Sequence, residues 1–561
     1  MSLAVIVVVC ASGRAGKLAI ISVGEINARE GQTKAGGDWG RGTAEVKSVR
    51  LFAKGRLGFL GLCLCVIPDE AVIQAMENES QKMHLLHQLD RAIPSLVNPS
   101  ESQNIKDLSL FRQLYRQFLE DPHKVTWDQI EPMTPEAQLP YEHLPHVGGM
   151  AEKSAILERI AVVKLNGGLG TTMGCSGPKS LVEVRDGLNF MDFALQQHRI
   201  LLNSSNLSSP VPLLLMNSFN TDAQTNIYLQ RQSADVLGPV KCFCQAKCPR
   251  IFADSLRPIP TSWDDRLEDG WYPPGHGNAF WAMDQSGLLD ELLANGKDLA
   301  FFANIDNTSA IVDERIAKVL ADGRADYVME MTQRTTADVK GGTLVELDGG
   351  KRLMHLECPQ VPAERLEEFC SLRTFKMFNT NNIWVNLRVV KQRLDEFKME
   401  IIANAKSLCD GQRVLQLEQS IGGAIRNFPG RALAICVPRQ RFLPVKSTRD
   451  LFRIRCPDLF ELCPDQFVMR QRVSVLPNVH LSDHFARLAD FELRIPQMPK
   501  MAEVKSIRLE GDVWLGKGVT MKGIVEVRAD TQTPPGTVRV EDNSIIGLAE
   551  HAEAGGGGGG R

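Results

Sequence analysis

Residues 164–180, KLNGGLGTTMGCSGPKS, restrict the fold of this chain more than any other stretch. They follow Ala161-Val162-Val163, which with Leu165 reads as a short buried strand, apolar and β-branched. Asn166-Gly167-Gly168 then reads as a turn. Glycine lets a ligand approach the main chain closely, and successive N–H groups in such a loop form an anion-binding concavity. A strand, a glycine loop and then Lys179 make a candidate phosphate cradle; a glycine turn without a ligand is the competing reading. Two familiar phosphate loops do not match. Pro178 separates Gly177 from Lys179, which breaks the Walker A pattern, and the spacing from Gly170 to Gly174 is one residue too long for a dinucleotide fingerprint.

The flanking chain has the alternation that such a loop needs. Residues 211–216, 299–303 and 327–331 read as strands, a helical pattern begins near Met191, and Asn220 or Thr221 is expected to cap the next helix. Strands alternating with helices argue for a largely parallel sheet with helices on both faces, its ligands at the carboxyl ends of the strands. Before this region, residues 68–119 carry helical spacing and 121–147 read as an extended connector. After it, Ile507, Val513, Val519 and Val525 lie six apart, as do Leu509, Leu515, Met521 and Val527. That period suggests a parallel β-helix, with ordinary hairpins as the alternative. The expected organisation is a weakly ordered extension over 1–75, a helical region and connector over 76–154, a catalytic domain over 155–450, a C-terminal domain over 451–554 and a glycine tail over 555–561.

Composition narrows the function classes. A net charge of −3 gives no sign of a general nucleic-acid or membrane-surface binder. The apolar runs at 3–11 and 57–67 are too short for a spanning helix. Thirteen cysteines spread along the chain suit reduced thiols in the cytoplasm. Cys242, Cys244 and Cys248 have the wrong spacing for a zinc site and lack a partner pair.

Four further polar clusters stand out. Pro273-Pro274-Gly275-His276-Gly277 offers backbone and imidazole to a ligand, or is a surface turn. Asn304-Ile305-Asp306-Asn307 ends a strand with a carboxylate that can hold Mg²⁺ or cap a helix. Residues 378–382, FNTNN, present amides suited to sugar hydroxyls, or an Asx turn. Residues 441–446, RFLPVK, bring Lys446 in after an apolar, proline-fixed stretch, unless it is a solvated surface lysine.

Together, LNGGLGT-MG-GPKS, PPGHG, NIDN, FNTNN-WVNL and RFLPVK occur in the order found in eukaryotic-type UTP–glucose-1-phosphate uridylyltransferases, and the chain resembles that family from about Trp127 to about Ala552. Related pyrophosphorylases acting on N-acetylhexosamine use a loop closer to GGxGTRLG, which favours glucose. The resemblance implies an α/β fold: a central mixed, mostly parallel, Rossmann-like nucleotidyltransferase sheet flanked by helices, with a C-terminal left-handed parallel β-helix through which some members form homo-oligomers. It implies that UTP and glucose 1-phosphate give UDP-glucose and pyrophosphate, with Mg²⁺ as cofactor. The alternative is a catalytically weak protein that binds UTP or UDP-glucose in assembly or regulation.

The resemblance also implies roles by position. Leu165, Asn166, Gly167, Gly168, Met216, Gln245 and Gly275 would meet the nucleotide, Gln245 reading uracil. Lys179 and Lys446 would bind its phosphates and act in catalysis. Asp306 would hold Mg²⁺ and contact the nucleotide. Gly167, Gly168, His276, Asn304, Ile305, Asp306, Glu357 and Asn381 would meet the sugar phosphate. Two positions depart from the family pattern: Asn278 stands where aspartate follows GHG, and Thr308-Ser309 replaces Leu-Gly after NIDN.

Overall fold

The computed structural model describes residues 78–547 apart from 121–124, 205–206, 234–237, 265–267, 336–337, 339–340, 409 and 530–535. The extension expected over 1–75 and the tail over 555–561 lie outside the described residues.

An eight-stranded mixed sheet lies at the centre. Its strands are β1 (Gln138–Pro140), β2 (Ile160–Leu165), β3 (Leu213–Asn217), β4 (Val240–Cys244), β5 (Leu299–Asn304), β6 (Tyr327–Gln333), β7 (Met377–Asn386) and β8 (Ala432–Cys436), in the order β1-β8-β6-β7-β5-β2-β3-β4. All neighbours run parallel except β7, which is antiparallel to both β6 and β5. A strand covered on both faces has to be apolar throughout, and β2 is buried along its whole length. Ile160 and Val162 join one core with the helices Phe190–Asn203 and Glu314–Ala321, while Ala161, Val163 and Leu165 join the other with Ala279–Gln285, Leu288–Ala294 and Leu387–Arg393.

Several boundaries differ from the sequence reading. The connector contributes β1, an edge strand beside β8, so part of it belongs to the sheet. The helix Asp222–Gln230 begins after Thr221, but the Thr221 hydroxyl accepts from the Ser218 N–H at 2.9 Å, closing the preceding turn instead of capping the helix. Residues 378–382 lie on β7, not in a turn. There Met329 sits opposite Ile383 and Met331 opposite Asn379, so Thr380-Asn381-Asn382 bulge against Glu330, and Asn381 takes φ 59°.

The helices Glu79–Leu96 and Ser102–Glu120 pack together and onto Ile251, Tyr272, Leu415 and Leu417. In the C-terminal region, Asn478–Leu481, Lys500–Glu510, Thr520–Arg528 and Ile545–Ile546 form a parallel sheet, and Asp512–Leu515 pairs in parallel with Thr537–Val540. Ile507 lies beside Val525 and Leu509 beside Val527. These residues, with Val513 and Val519, pack into the same apolar core as the first face of the central sheet.

One buried ionic group ties β6 and β7 to the segment that follows β8. Glu330, 0% exposed, accepts from Arg441 Nε at 2.8 Å and Nη2 at 2.7 Å, from Trp384 Nε1 at 2.9 Å and from Asn382 Nδ2 at 3.1 Å. Removing one member of a buried pair strands the other charge, at a cost of about 3–5 kcal/mol. Glu330→Ala is therefore expected to lower the denaturant midpoint strongly. Glu503→Ala, which breaks an exposed pair with Lys522, should leave the midpoint almost unchanged.

Candidate active site

The polar clusters singled out in the sequence gather at one end of the central sheet. The glycine loop follows β2, Ser218 follows β3, Gln245 follows β4 and Ile305-Asp306 follow β5, all at carboxyl ends. The loop is closed by its own backbone: Lys179 N–H donates to the Gly168 carbonyl at 3.1 Å, and Leu169 bridges Pro178. This fold-back returns Lys179 to the strand end, where its ammonium pairs directly with the Asp306 carboxylate.

Asn166 is locked beneath the loop. Its Nδ2 donates to Asn217 Oδ1 at 2.7 Å and to Thr225 Oγ1 at 3.0 Å, and its N–H donates to the Met216 carbonyl at 2.8 Å. The Gln245 amide lies directly against Gly167: a Cβ there would lie 1.9 Å from Gln245 Nε2 and would have to displace it. Gly168 faces open space. The Gln245 loop is pinned at adjacent residues, because Asn278 Oδ1 accepts from Ala246 N–H at 2.8 Å and Asp107 Oδ2 from Lys247 N–H at 2.9 Å. Asn278, one of the two departures, thus serves as a backbone anchor beside Gln245. Leu165 and Met216 are packed into the apolar core.

The PPGHG turn lies against Gln419. Gly275 takes φ 81°, and a Cβ there would meet the Gln419 carbonyl at 2.6 Å. His276 Nδ1 accepts from Ile421 N–H at 3.0 Å, which leaves the ring's proton on Nε2. Burial lowers the His276 pKa to about 4, so the ring is neutral at physiological pH.

Asn304 and Asn381 meet across β5 and β7, Asn381 Nδ2 donating to Asn304 Oδ1 at 2.9 Å. Asn381 owes its position to the bulge and its left-handed φ, a conformation found at functional sites when the surroundings enforce it. Beyond β7, His355 Nε2 lies 3.4 Å from Glu357, and burial drives the His355 pKa down to about 3 and that of Glu357 up to about 7. The Lys446 ammonium lies 5.7 Å from the Phe378 ring centroid, and the charge of Lys446 works against the rise at Glu357. Lys446 is exposed, as the bland reading of the sequence had it, but its backbone is anchored: its carbonyl accepts from Thr172 of the glycine loop at 3.2 Å. Four buried polar atoms here have no hydrogen-bond partner: Asn166 Oδ1, Gln245 Oε1, Asn278 Nδ2 and Asn381 Oδ1. Buried polar groups are normally satisfied, so these four atoms are open to a polar partner.

Sequence reasoning missed Glu330, Arg441 as its partner, and Asp107. Glu330 sits inside an apolar strand pattern, and only the pairing with β7 shows what its charge meets. The second departure, Thr308-Ser309, is bound into the fold through the Ser309 hydroxyl, which donates to the Met469 carbonyl at 3.2 Å, and the Thr308 carbonyl, which accepts from Gln197 at 2.7 Å.

Known proteins share this sequence and fold. Residues 108–522 match the family model described as UTP–glucose-1-phosphate uridylyltransferase. The Saccharomyces cerevisiae UTP–glucose-1-phosphate uridylyltransferase is 43% identical over 428 residues, 75% of this chain and 84% of the yeast protein. The Solanum tuberosum enzyme of that name is 42% identical over 468 residues, 82% of this chain and 95% of its own length. Among solved structures, a variant Leishmania major UDP-glucose pyrophosphorylase in complex with UDP-glucose superposes with TM-score 0.70 at 28% identity, covering 81% of this chain and 98% of that one. A Trypanosoma brucei structure named UDP-glucose phosphorylase gives TM-score 0.70 at 30% identity over 83% of this chain and 99% of its own. On the match over most of its length and the site gathered at its sheet, this chain belongs to the UTP–glucose-1-phosphate uridylyltransferase family.

Proposed function

We propose that this protein transfers the uridylyl group of UTP to glucose 1-phosphate, reversibly, giving UDP-glucose and pyrophosphate. The observation that carries this reading is the meeting of Lys179 with Asp306 at the sheet's carboxyl end, in a site where the Lys446 backbone touches the same glycine loop. An ammonium and a carboxylate meeting there, with a second lysine anchored by its backbone to the same loop, favour transfer over binding alone.

In the reaction, a glucose 1-phosphate oxygen attacks the α-phosphorus, a new P–O bond forms, and the bond to the bridging oxygen of the β-phosphate breaks in line. A phosphate monoester, with a second pKa of about 6, is already largely ionised at neutral pH, so no side chain need remove a proton. The barrier lies in bringing anions together: two unit charges at about 4 Å repel by about 4 kcal/mol at an effective dielectric of about 20. Each ~1.4 kcal/mol recovered gives about tenfold in rate. Lys179 is assigned to the triphosphate and Lys446 to the entering and α-phosphates. The glycine loop adds backbone dipoles where Gly168 leaves space. Leu165, Asn166, Gly167, Gly168, Met216, Gln245 and Gly275 are assigned to the nucleotide. Met216 and Leu165 serve mainly as apolar backing, and Gln245 Oε1 is the unpaired acceptor for a base N–H. Gly167, Gly168, His276, Asn304, Ile305, Glu357 and Asn381 are assigned, with Asp306, to the sugar phosphate.

The donor at the strand end is a single carboxylate, Asp306, which pairs with the Lys179 ammonium, and Mg²⁺ is commonly held by one or two carboxylates together with substrate phosphates. Asp306 would be its protein ligand, and the ion would supply Lewis-acid polarisation of phosphate oxygens.

We further read the C-terminal parallel strands, with their buried six-residue period, as a left-handed β-helix suited to homo-oligomer contacts. Residues 76–154, 155–450 and 451–554 serve as the helical region with its connector, the catalytic domain and the C-terminal domain. No helix among the described residues is long and apolar enough to cross a membrane. The free cysteines of the described residues favour a cytoplasmic setting.

Three outcomes test the reading. Lys446→Ala should lower turnover by about a thousandfold or more with modest change in UTP affinity, and near-normal turnover would remove its catalytic role. Asp306→Ala should abolish Mg²⁺-dependent pyrophosphate release; a Mg²⁺ titration matching wild type would end the ligand assignment. Glu357 gives a pH signature. Its raised pKa means the folded state binds a proton more tightly than the unfolded state, so the contribution of Glu357 to stability should fall as pH rises from the ordinary glutamate range through about 7, against the opposite contribution of the buried His276 and His355 below about 6.5. Melting curves across that range should lose this slope in Glu357→Gln.

A further inference from the structure

Asn307 follows the carboxylate residue Asp306, and none of the substrate assignments above includes it. It is 1% exposed, and its carboxamide is engaged on both sides. Oδ1 accepts from the Leu443 N–H at 2.9 Å and from the Ser309 N–H at 3.3 Å. Nδ2 donates to the Arg441 carbonyl at 3.2 Å and to Asn382 Oδ1 at 3.4 Å. Its main chain also bridges Pro444. One side chain therefore joins the strand end bearing Asp306, the segment leading to Lys446, and the bulge bearing Asn381.

The opposite end of that segment is fixed independently. The Arg441 guanidinium is held by Glu330 and donates to the Ile311 carbonyl at 3.0 Å. The segment is thus clamped at Arg441 and again at Leu443 and Pro444, just before Lys446. Only a short amide suits the inner clamp. It must donate to one backbone carbonyl and accept from a backbone N–H two residues on, as a neighbouring strand would. Aspartate would keep the acceptor but turn a charged oxygen toward the Arg441 carbonyl, and alanine would supply neither group.

We propose that Asn307 is a positioning residue that holds Lys446 in register with Asp306, and so acts on the transfer step and not on nucleotide capture. The inference rests on the assignments of Asp306 and Lys446 above. A displacement of about 1 Å at a reacting group can cost about a hundredfold in rate.

The test is steady-state kinetics on the full chain with UTP, glucose 1-phosphate and Mg²⁺, comparing wild type, Asn307→Ala, Asn307→Asp, Lys446→Ala and the double variant Asn307→Ala/Lys446→Ala. Asn307→Ala is expected to lower kcat about a hundredfold while the KM for UTP stays within about threefold. Asn307→Asp should also lose turnover, since it restores only the acceptor. In the Lys446→Ala background, removing Asn307 should cost less than about threefold more, because the group it positions is gone. A full additional loss in that background would show that Asn307 acts independently of Lys446 and would overturn the proposal. So would an Asn307→Ala enzyme with near-normal kcat. If Asn307→Ala does not fold, as judged by circular dichroism, Asn307→Asp alone and in the Lys446→Ala background decides by the same criteria. Near-normal turnover in Lys446→Ala would remove the parent assignment, whereas a crippled Lys446→Ala beside an intact Asn307→Ala would remove only the positioning role.

Discussion

A carboxylate without exposed surface sets the geometry of the site. Glu330 lies inside the sheet, opposite the bulge of β7, and spends its lone pairs on Arg441, Trp384 and Asn382. A charge buried there is tolerable only when paired and hydrogen-bonded, so its partners are held where they are. Arg441 anchors the backbone leading to Lys446, while Asn382 and Trp384 fix the strand that presents Asn381. The glycine loop could form beside any parallel strand. The segment across from it is fastened to the core through this group and, further along, through Asn307.

The sequence revealed much of the sheet and of the ligand loops, because their signals are local. Apolar β-branched runs such as Ala161-Val162-Val163 announce buried strands, and Gly167-Gly168 announces a tight loop. The six-residue recurrence of Ile507, Val513, Val519 and Val525 is likewise visible without any partner; all four are buried in one cluster, with Ile507 beside Val525. Less was legible where meaning depends on long-range pairing. Residues 378–382 read as sugar-suited amides or an Asx turn; they form a bulged central strand in which the Asn381 N–H does donate to Asn379 Oδ1, and the antiparallel insertion between β6 and β5 leaves no local mark. Glu330 is simply one residue of the strand read over 327–331, and nothing near it in sequence names Arg441 as its partner. Asp107 could not be connected with the loop after Gln245, because its hydrogen bond from the Lys247 N–H exists only once the N-terminal helices dock.

The two departures from the family pattern become intelligible as packing. Asn278 gives up a charge but keeps an oxygen for the Ala246 N–H, which is what the Gln245 loop requires of it. Ser309 gives up glycine's freedom and gains a hydrogen bond to the hairpin of residues 460–471. Both changes keep the neighbouring site residues tethered, so they alter how the walls are fastened more than what lines them.

The single apolar core that runs from the central sheet into the C-terminal strands bears on how substrates enter. Val513 and Val519 belong to the same packed cluster as Val162 and Phe301. Prising the two regions apart would wet that cluster, so a wholesale hinge between them is disfavoured on energetic grounds. Around the sheet's carboxyl end, Gly168 faces open space and Lys446 is exposed, so freedom of movement there does not require that cluster to open.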